Sequence, residues 1–500
     1  MSSLPSSLCL RALAIALCAA PWSAFAEAPP PSAPATGAPA AQRGDDADNP
    51  LAKLPIIVHR LDNGMRVVMS PDHTVPTVAI AVYYNVGSRN EEKGRSGFAH
   101  LFEHMMFQGS AHVKKGEYFQ LIMSRGGSMN GSTSEDRTNY YETLPSNDLA
   151  LGLWLEADRM RSLAITKSNF ENQRETVMEE RRQRYDNQPY VPSFLEINAL
   201  AYGDYWPYAH STIGHMKDLE DAPLSAVQAF FEKYYAPNNA VLAIAGDFQP
   251  KDAMALIDRF FAPIPARDVP KYDPPPLKPQ EAERTETMYD ANASLPAFHI
   301  AYHIPPDRTP DHYALELMSL VLGDGQSSRL YQSLVKDKQL CQDIEVGTDD
   351  RRGPDLFSFW GVMAKGHKGP QARAVIYKAL DDIAAHGVTP RELEKAKNRV
   401  RASFVFGLES NLQRAQRLAE FEVYWGDAKL LRTELGRYLA VTNADIERVA
   451  KKYFAPTNRT VLDVLPGKAP AGSAGRASAA QSARSAGSTK VMPATEGEVR

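Results

Sequence analysis

A short segment of this sequence occurs twice, and the duplication constrains the fold more than any other feature. Residues 235–242 read Tyr-Ala-Pro-Asn-Asn-Ala-Val-Leu, and residues 454–462 read Phe-Ala-Pro-Thr-Asn-Arg-Thr-Val-Leu. Each copy follows an amphipathic stretch that ends in a lysine and a tyrosine. The copies lie about 220 residues apart, which is too long for a solenoid repeat and suits a duplicated domain. The 500-residue chain is therefore predicted to contain two homologous halves in tandem.

The hydrophobic pattern within each half mixes strands with helices. Residues 56–68 alternate in polarity around Asn63-Gly64, which predicts a hairpin. Ser168 and Glu171 have the spacing of a capping box at the start of a predicted helix. Further strands are predicted at 77–84, 137–144, 240–245 and 298–302, and helices at 117–125, 148–162, 168–185, 311–322 and 371–386. Because hairpins occur without regular βαβ alternation, we expect an α+β fold of two homologous α/β sandwich-like domains.

Changes in composition divide the chain. Arg11, an apolar stretch to Ala20 and the sequence Ala24-Phe25-Ala26 predict a cleaved signal peptide, and the apolar stretch is too short to span a bilayer. We therefore expect a periplasmic protein with no membrane span. The expected divisions are a signal peptide (1–26), a disordered Pro/Ala-rich leader (27–50), a first domain (51–261), a Pro-rich linker (262–284), a second domain (285–466) and a disordered tail (467–500).

Charge and cysteine content exclude some classes of protein. A net charge of -4 and a hydrophobic content of 43% are typical of a globular protein and do not indicate nucleic-acid binding. Cys9 and Cys18 would leave with the signal peptide, so Cys341 is left without a partner for an intrachain disulfide. We expect its thiol to fill the core rather than to act as a nucleophile.

Candidate metal-binding and catalytic side chains are concentrated in residues 97–104, Gly-Phe-Ala-His-Leu-Phe-Glu-His. His100 and His104 are four residues apart, so a helix places both imidazoles on one face. The order His-x-x-Glu-His, with Glu103 before the second histidine, is the inverted zincin motif. Two imidazoles and one further protein ligand would leave a zinc position open for water. The alternative is a hydrogen-bonded cluster inside a buried helix, because the surrounding residues are apolar.

A third ligand could come from the predicted helix at 168–185. This helix offers Glu171, Glu175, Glu179 and Glu180. Charged helix faces are usually just solvated, and spacing alone does not choose among the four carboxylates.

The motif at 100–104, followed about 75 residues later by Glu179-Glu180, resembles the pitrilysin/insulinase family of zinc endopeptidases. The resemblance extends over about residues 54–466. It implies one Zn²⁺ per chain held by His100, His104 and Glu180, with Glu103 as the general base; direct coordination by Glu103 is the lesser alternative. Members of the family tend to carry a helper glutamate where this chain has Gln173.

Residues 126–133, Gly-Gly-Ser-Met-Asn-Gly-Ser-Thr, resemble an edge strand that pairs with the peptide substrate in this family. The resemblance implies that Asn130, Gly131, Ser132 and Thr133 bind peptide by β-augmentation. The family's alanine is Gly131 here, which predicts a more flexible segment. Without the resemblance, a Gly-rich turn remains an alternative.

Residues 323–334 resemble the signature of the family's C-terminal domain. Where the family can carry an arginine and a tyrosine that contact substrate, this chain has Val335 and Gln342. The resemblance therefore implies a clamshell made with a homologous second subunit that carries the Arg/Tyr pair; a homodimer is the alternative.

The sequence thus favours a zinc-dependent endopeptidase that acts on extended peptides or unfolded segments. A non-catalytic structural or partner subunit of a peptidase-like complex is the competing hypothesis. A metal hydrolase of unrelated fold is a weaker one, which the duplicated halves disfavour.

Overall fold

The computed structural model describes residue 51 and residues 53–469. The expected signal peptide (1–26) and leader (27–50) lie outside the described residues, as does the predicted tail apart from residues 467–469. Among the described residues, no helix combines the length and the apolar character needed to cross a membrane.

Six strands of the first half form one mixed sheet in the order β1-β2-β6-β3-β5-β4. The predicted hairpin is present, since β1 and β2 pair antiparallel with Arg60 opposite Arg66, and Gly64 adopts a φ of 88° in the loop between them. The strands are β1 (Ile57–Arg60), β2 (Arg66–Pro71), β3 (Thr77–Tyr84), β4 (Ser128–Thr133), β5 (Thr138–Pro145) and β6 (Ala240–Gly246).

Five strands of the second half repeat the same topology. Their order is β7-β11-β8-β10-β9, with β7 and β11 parallel and the other neighbours antiparallel. This order matches β2-β6-β3-β5-β4 strand for strand, including one parallel pair in the same place. The strands are β7 (Arg284–Asp290), β8 (Ala297–Ile304), β9 (Cys341–Thr348), β10 (Asp355–Met363) and β11 (Arg459–Pro466). The predicted duplication and the α+β class are therefore confirmed.

Helices connect the strands in both halves. In the first half they are α1 (Phe98–Met105), α2 (Glu117–Met123), α3 (Leu149–Ser162), α4 (Lys167–Arg181), α5 (Val191–Tyr202), α6 (Trp206–Ala209), α7 (Met216–Glu220), α8 (Leu224–Tyr234) and α9 (Pro250–Phe261). In the second half they are α10 (Pro310–Gly323), α11 (Gly369–His386), α12 (Pro390–Phe406), α13 (Asn411–Trp425), α14 (Leu431–Ala440) and α15 (Asn443–Tyr453).

The start of α4 differs from the sequence-based prediction. Thr166 caps this helix by accepting a 3.2 Å hydrogen bond from the N–H of Asn169, so the predicted capping box of Ser168 and Glu171 is wrong. The cap lies two residues earlier because Thr166 has the extended backbone that an N-cap requires, with φ of -95° and ψ of 158°. The helix ends in a π-helical turn, Arg182–Asp186.

The repeated segments adopt the same structure. Each one follows α8 or α15, makes a short 3₁₀ turn, and enters the central strand β6 or β11. The Asn239 side chain donates a 2.8 Å hydrogen bond to the carbonyl of Tyr234. The Asn458 side chain donates a bond of the same length to the carbonyl of Tyr453. The sequence repeat therefore encodes a helix-ending turn that uses the same side-chain cap twice.

The two halves exchange helices. Helix α13 of the second half packs on β3 and β6 of the first sheet, where Ala415, Leu418 and Ala419 join the buried core. Helix α5 of the first half packs on β8 and β11 of the second sheet. Each sheet thus has one face covered by a helix from the other half.

The remaining cysteine lies inside this core. Cys341 is buried at the start of β9, and burial raises the pKa of its thiol to about 12. The thiol is therefore protonated at neutral pH, as expected for a residue that fills space.

Candidate metal centre

Helix α1 is fixed at its N-terminus by contacts from distant parts of the chain. Its N-cap, Gly97, has a φ of 89°, and a Cβ there would lie 2.8 Å from the carbonyl oxygen of Ile213. Glu91 supplies the cap that glycine lacks, because its carboxylate accepts hydrogen bonds from the N–H groups of Gly97 (2.9 Å) and Ala99 (2.8 Å). A carboxylate at this end also interacts favourably with the helix dipole.

Glu91 is itself held in place by α6 and the residue that follows it. The indole N–H of Trp206 donates a 2.6 Å hydrogen bond to the backbone carbonyl of Glu91. His210 stacks on Trp206 at 3.9 Å between ring centroids, and its Nε2 lies 3.1 Å from Oε2 of Glu91. Burial raises the pKa of the Glu91 carboxyl, while the hydrogen bond to His210 opposes that rise. Glu91, Trp206 and His210 therefore form a hydrogen-bonded network that fixes the start of α1, the helix that carries the metal-binding motif.

Two imidazoles and one carboxylate converge between α1 and α4. Nε2 of His104 lies 3.2 Å from Oε2 of Glu180, and Nε2 of His100 lies 3.7 Å from the same oxygen. The potential ligand atoms of all three side chains are within 4.8 Å of one another. This donor set, two imidazole nitrogens and a carboxylate oxygen, is the set found at catalytic zinc sites that keep one position open.

The electrostatics of the group favour neutral imidazole and ionised carboxylate. Burial, and then the neighbouring His104, lower the pKa of His100 to about 4. Burial works to raise the pKa of Glu180, but the hydrogen bond to His104, followed by the charges of His100, His104 and Arg184, outweighs it and lowers the pKa. The buried Nδ1 of His100 has no hydrogen-bond partner among the described residues. Of these candidate ligands, His100 is therefore neutral and Glu180 ionised at neutral pH, which are the forms that bind a metal.

Of the four glutamates offered by the predicted helix, Glu180 is the one that reaches the imidazoles. Glu171, Glu175 and Glu179 lie on exposed parts of α4 and pair with neighbouring lysine or arginine side chains. Gln173, where a helper glutamate was considered, is buried and donates a 2.8 Å hydrogen bond to a neighbouring asparagine.

Glu103 lies beside the imidazoles and faces the edge strand. Its Oε2 accepts a 2.6 Å hydrogen bond from the hydroxyl of Thr133 on β4. Burial raises the pKa of Glu103, and the hydrogen bond from Thr133 partly offsets the rise. A carboxylate whose pKa is raised in this way is a stronger base than a fully solvated one.

Strand β4 forms the edge of the first sheet, paired on one side with β5. A Cβ on Gly131 would lie 3.1 Å from Cγ of Glu103, so glycine allows the strand to approach that side chain closely. This close approach, rather than a flexible turn, accounts for glycine within a regular strand. Ser132 faces the other side, where its hydroxyl donates a 2.7 Å hydrogen bond to Asn139, and Asn130 is exposed.

Some residues that shape the site were not predicted from the sequence. Arg184 lies 3.0 Å from Oε1 of Glu180, and its i+4 spacing on the same helical segment could have revealed it. The role of Thr133 as a partner of Glu103 and the capping role of Glu91 depend on tertiary contacts, so no local pattern indicated either one.

Val335 and Gln342, which stand where the family can carry an arginine and a tyrosine, lie in the second half. Val335 belongs to a π-helical segment, Tyr331–Asp337, and Gln342 is exposed on β9.

Two protein-family models match the chain. The model described as insulinase (peptidase family M16) matches residues 66–204, and the model described as peptidase M16 inactive domain matches residues 222–400. His100, Glu103, His104 and Glu180 all lie within the first match.

Comparisons with individual proteins agree with the family models. The chain is 31% identical over 412 residues to zinc protease PqqE of Helicobacter pylori, covering 81% of this chain and 92% of that protein. A crystal structure of a protease from Helicobacter pylori superposes with a TM-score of 0.79 at 30% identity, covering 83% of this chain and all of that one. A peptidase M16 inactive domain from Pseudomonas fluorescens superposes with a TM-score of 0.75 at 19% identity, covering 83% of this chain and 99% of that one; this likeness shows the fold alone.

Proposed function

This chain belongs to the insulinase family, peptidase family M16, and from that premise we propose that it is a zinc-dependent endopeptidase. The observation that carries the proposal is the convergence of His100, His104 and Glu180, whose ligand atoms lie within 4.8 Å of one another. Two of these residues come from α1 and the third from α4, so the geometry depends on the tertiary fold and not on one helix.

His100, His104 and Glu180 would hold the zinc ion. When bound, zinc lowers the pKa of a water molecule toward neutrality and polarises a peptide carbonyl. Glu103 would accept the proton of the attacking water and deliver it to the leaving amine. Its hydrogen bond from Thr133 keeps one carboxylate oxygen oriented and leaves the other for this proton.

The proposed substrate is an extended peptide or an unfolded segment. The outer edge of β4 has no partner strand in the sheet of the described residues, and an exposed strand edge can accept one more strand through main-chain hydrogen bonds. Asn130, Gly131, Ser132 and Thr133 would bind peptide in this way. Because Thr133 contacts Glu103, a peptide on this edge would lie beside the general base.

The alternative of a non-catalytic subunit remains a distinct hypothesis, since one of the matching family models is described as an inactive domain. That match covers residues 222–400, whereas the metal-ligand candidates lie in the match at 66–204. A purely structural subunit has no need to hold two imidazoles against a carboxylate with a second carboxylate beside them.

Measurement of bound zinc together with peptide cleavage tests the proposal. The purified chain should bind one zinc ion at this site and cleave an unfolded polypeptide. The Glu103→Gln variant should keep the zinc and lose activity by about 10²–10⁴-fold. Loss of zinc from this variant would make Glu103 a ligand, and a wild-type chain that binds zinc without cleaving any peptide, alone or with a partner, would support the non-catalytic alternative.

We further propose export to the periplasm and assembly with a homologous chain that carries the Arg/Tyr pair. The presence of Val335 and Gln342 in place of that pair supports a heterodimer over a homodimer. Brisk peptide turnover by a strict monomer would contradict the need for a partner.

A further inference from the structure

We propose that the second half of the chain carries a divalent-cation site of its own, formed by His312, Glu316 and Asp350. The potential ligand atoms of these three side chains lie within 4.8 Å of one another, the same limit that the zinc group of the first half satisfies. His312 and Glu316 belong to α10, and Asp350 comes from the turn between β9 and β10.

The imidazole of His312 is enclosed by carboxylates on both of its nitrogen edges. Its Nε2 lies 3.3 Å from Oδ2 of Asp355 and 3.6 Å from Oδ1 of Asp350, and its Nδ1 lies 3.7 Å from Oδ1 of Asp307. The side chain is 0% exposed, and Nδ1 has no hydrogen-bond partner among the described residues. Burial works to lower the pKa of His312, but the hydrogen bond to Asp355 and the charge of Asp350 raise it to about 10. A cation at Nε2 would therefore displace a proton and leave Nδ1 facing Asp307, and an imidazole between a metal and a carboxylate is the usual arrangement of a ligating histidine.

Carboxylates outnumber the basic side chains around His312. Four carboxylates (Asp307, Glu316, Asp350 and Asp355) act on one another and on His312, whereas Arg417 acts on Glu316 and Arg351 acts on Asp355.

Two arginines close to this cluster in the sequence also pair with carboxylates outside it. Arg308 lies 3.1 Å from Glu434, and Arg351 lies 3.3 Å from Asp349. A bound divalent cation would balance carboxylates that these basic groups leave unpaired.

The duplicated topology places this cluster where the first half has its metal helix. Helix α10 follows β8 as α1 follows β3, and β8 occupies the position of β3 in the sheet order. His312 and Glu316 are four residues apart, as are His100 and His104, so each pair shares one helix face. In the second half the third side chain comes from the turn between β9 and β10, which corresponds to the turn between β4 and β5.

The site is open to solvent on one side, because the side chain of Asp350 is 59% exposed. Glu316 is oriented by the hydroxyl of Tyr438, which donates a hydrogen bond to Oε2. One imidazole and two carboxylates form a mixed ligand set that suits Mn²⁺ or Zn²⁺. A bound ion would tie the β9–β10 turn to α10.

Counting bound metal in a chain that lacks the first site tests the inference. The His100→Ala/His104→Ala double variant is dialysed against Mn²⁺ or Zn²⁺, and its bound metal is measured by elemental analysis. We expect about one equivalent of one of these ions per chain and a higher melting temperature with the ion than without it. This background contains no zinc centre, so the result does not depend on whether the chain is a peptidase.

Asp350→Asn in the same background should weaken binding by at least about tenfold. Because Asp350 is largely exposed, this variant should fold, and its melting temperature without metal checks that it does. Asp349→Asn is the matched control, since it removes the same charge from the same turn outside the proposed ligand set, and it should leave binding unchanged. No bound ion in the double variant, or equal losses from Asp349→Asn and Asp350→Asn, would overturn the site.

Discussion

The hydroxyl of Thr133 donates a 2.6 Å hydrogen bond to Oε2 of Glu103, which joins the edge strand β4 to the metal-motif helix α1. The same strand therefore provides the proposed docking edge for peptide and an orienting contact for the proposed general base. Gly131, two residues earlier on the same face, lets the strand come close enough for this contact.

Replacement of Thr133 by valine should change the pH dependence of cleavage. The Thr133 hydroxyl lowers the pKa of Glu103, and a hydrogen bond to a charged acceptor contributes about 1.5–3 kcal/mol. Without this hydrogen bond the pKa of Glu103 rises, so the carboxyl stays protonated, and inactive as a base, up to a higher pH. The acid limb of kcat/KM should therefore move upward by roughly one pH unit or more.

Ser132→Ala is the control for Thr133→Val. It removes a hydroxyl from the opposite face of the same strand, where the partner is Asn139. It should leave the acid limb in place. Equal shifts from both substitutions would indicate a general disturbance of β4 and not a specific contact with Glu103.

Glu180→Gln should weaken zinc binding by at least about tenfold, because an amide oxygen is a poorer ligand than a carboxylate for a dipositive ion. Glu179→Gln is the control, because Glu179 is the adjacent, exposed glutamate and its carboxylate accepts a 2.7 Å hydrogen bond from the Gln183 side chain. This variant should leave the affinity for zinc unchanged. Titration of the metal-free variants with zinc in the presence of a chelating indicator measures both zinc affinities. A larger loss from Glu179→Gln would exclude Glu180 as the third ligand.

The sequence was sufficient to predict the architecture and the general position of the site. The duplication was visible because the cap made by Asn239 and Asn458 requires asparagine at one fixed place before a central strand. The pair His100 and His104 was visible because i and i+4 on a helix is a local relationship. Choosing Glu180 among four glutamates required the resemblance to a family, because local spacing does not report which helix face meets α1.

Other features depended on contacts that no local pattern contains. The carboxylate of Glu91 reaches the start of α1 only because Trp206 and His210, more than 100 residues later in the chain, hold it there. The carboxylates that face His312 come from the turn between β9 and β10, from the first residue of β10 and from the segment before α10. Such groups are distant in the sequence and become neighbours through sheet pairing.

The asparagine caps of both repeated segments should stabilise the fold. Asn239→Ala and Asn458→Ala each remove the donor to the carbonyl that ends a helix, and each should lower the free energy of unfolding by about 1–2 kcal/mol. The loss should be greater for Asn239, which is 5% exposed, than for the partly exposed Asn458. Urea unfolding measures the free energy of unfolding of both variants. Thr457→Ala, in the exposed part of the second repeated segment, is the control and should have little effect.

Glu392 should make stability depend on acid pH. Both of its oxygens accept 2.7 Å hydrogen bonds from Arg329, one from Nε and one from Nη2, and this pairing lowers its pKa to about 2. Because the folded-state pKa lies below the unfolded value, the contribution is fully present above about pH 4.3. It is lost as the pH falls toward 2.

Thermal unfolding of Glu392→Gln at several pH values tests this dependence. The difference in melting temperature from the wild type should be clear at pH 6 and should shrink as the pH falls below about 4. Glu394→Gln changes an exposed glutamate on the same helix and serves as the control. A difference that stays constant down to pH 2 would contradict the assignment.

The helices exchanged between the halves limit how such a gene can be divided. If a stop and a new start were placed within residues 262–284, one product would lack α13 and the other would lack α5. Each product would then expose the apolar sheet face that the missing helix covers, and an exposed apolar face favours aggregation. Neither fragment should be recovered in soluble form alone, whereas co-expression should allow each to shield the other.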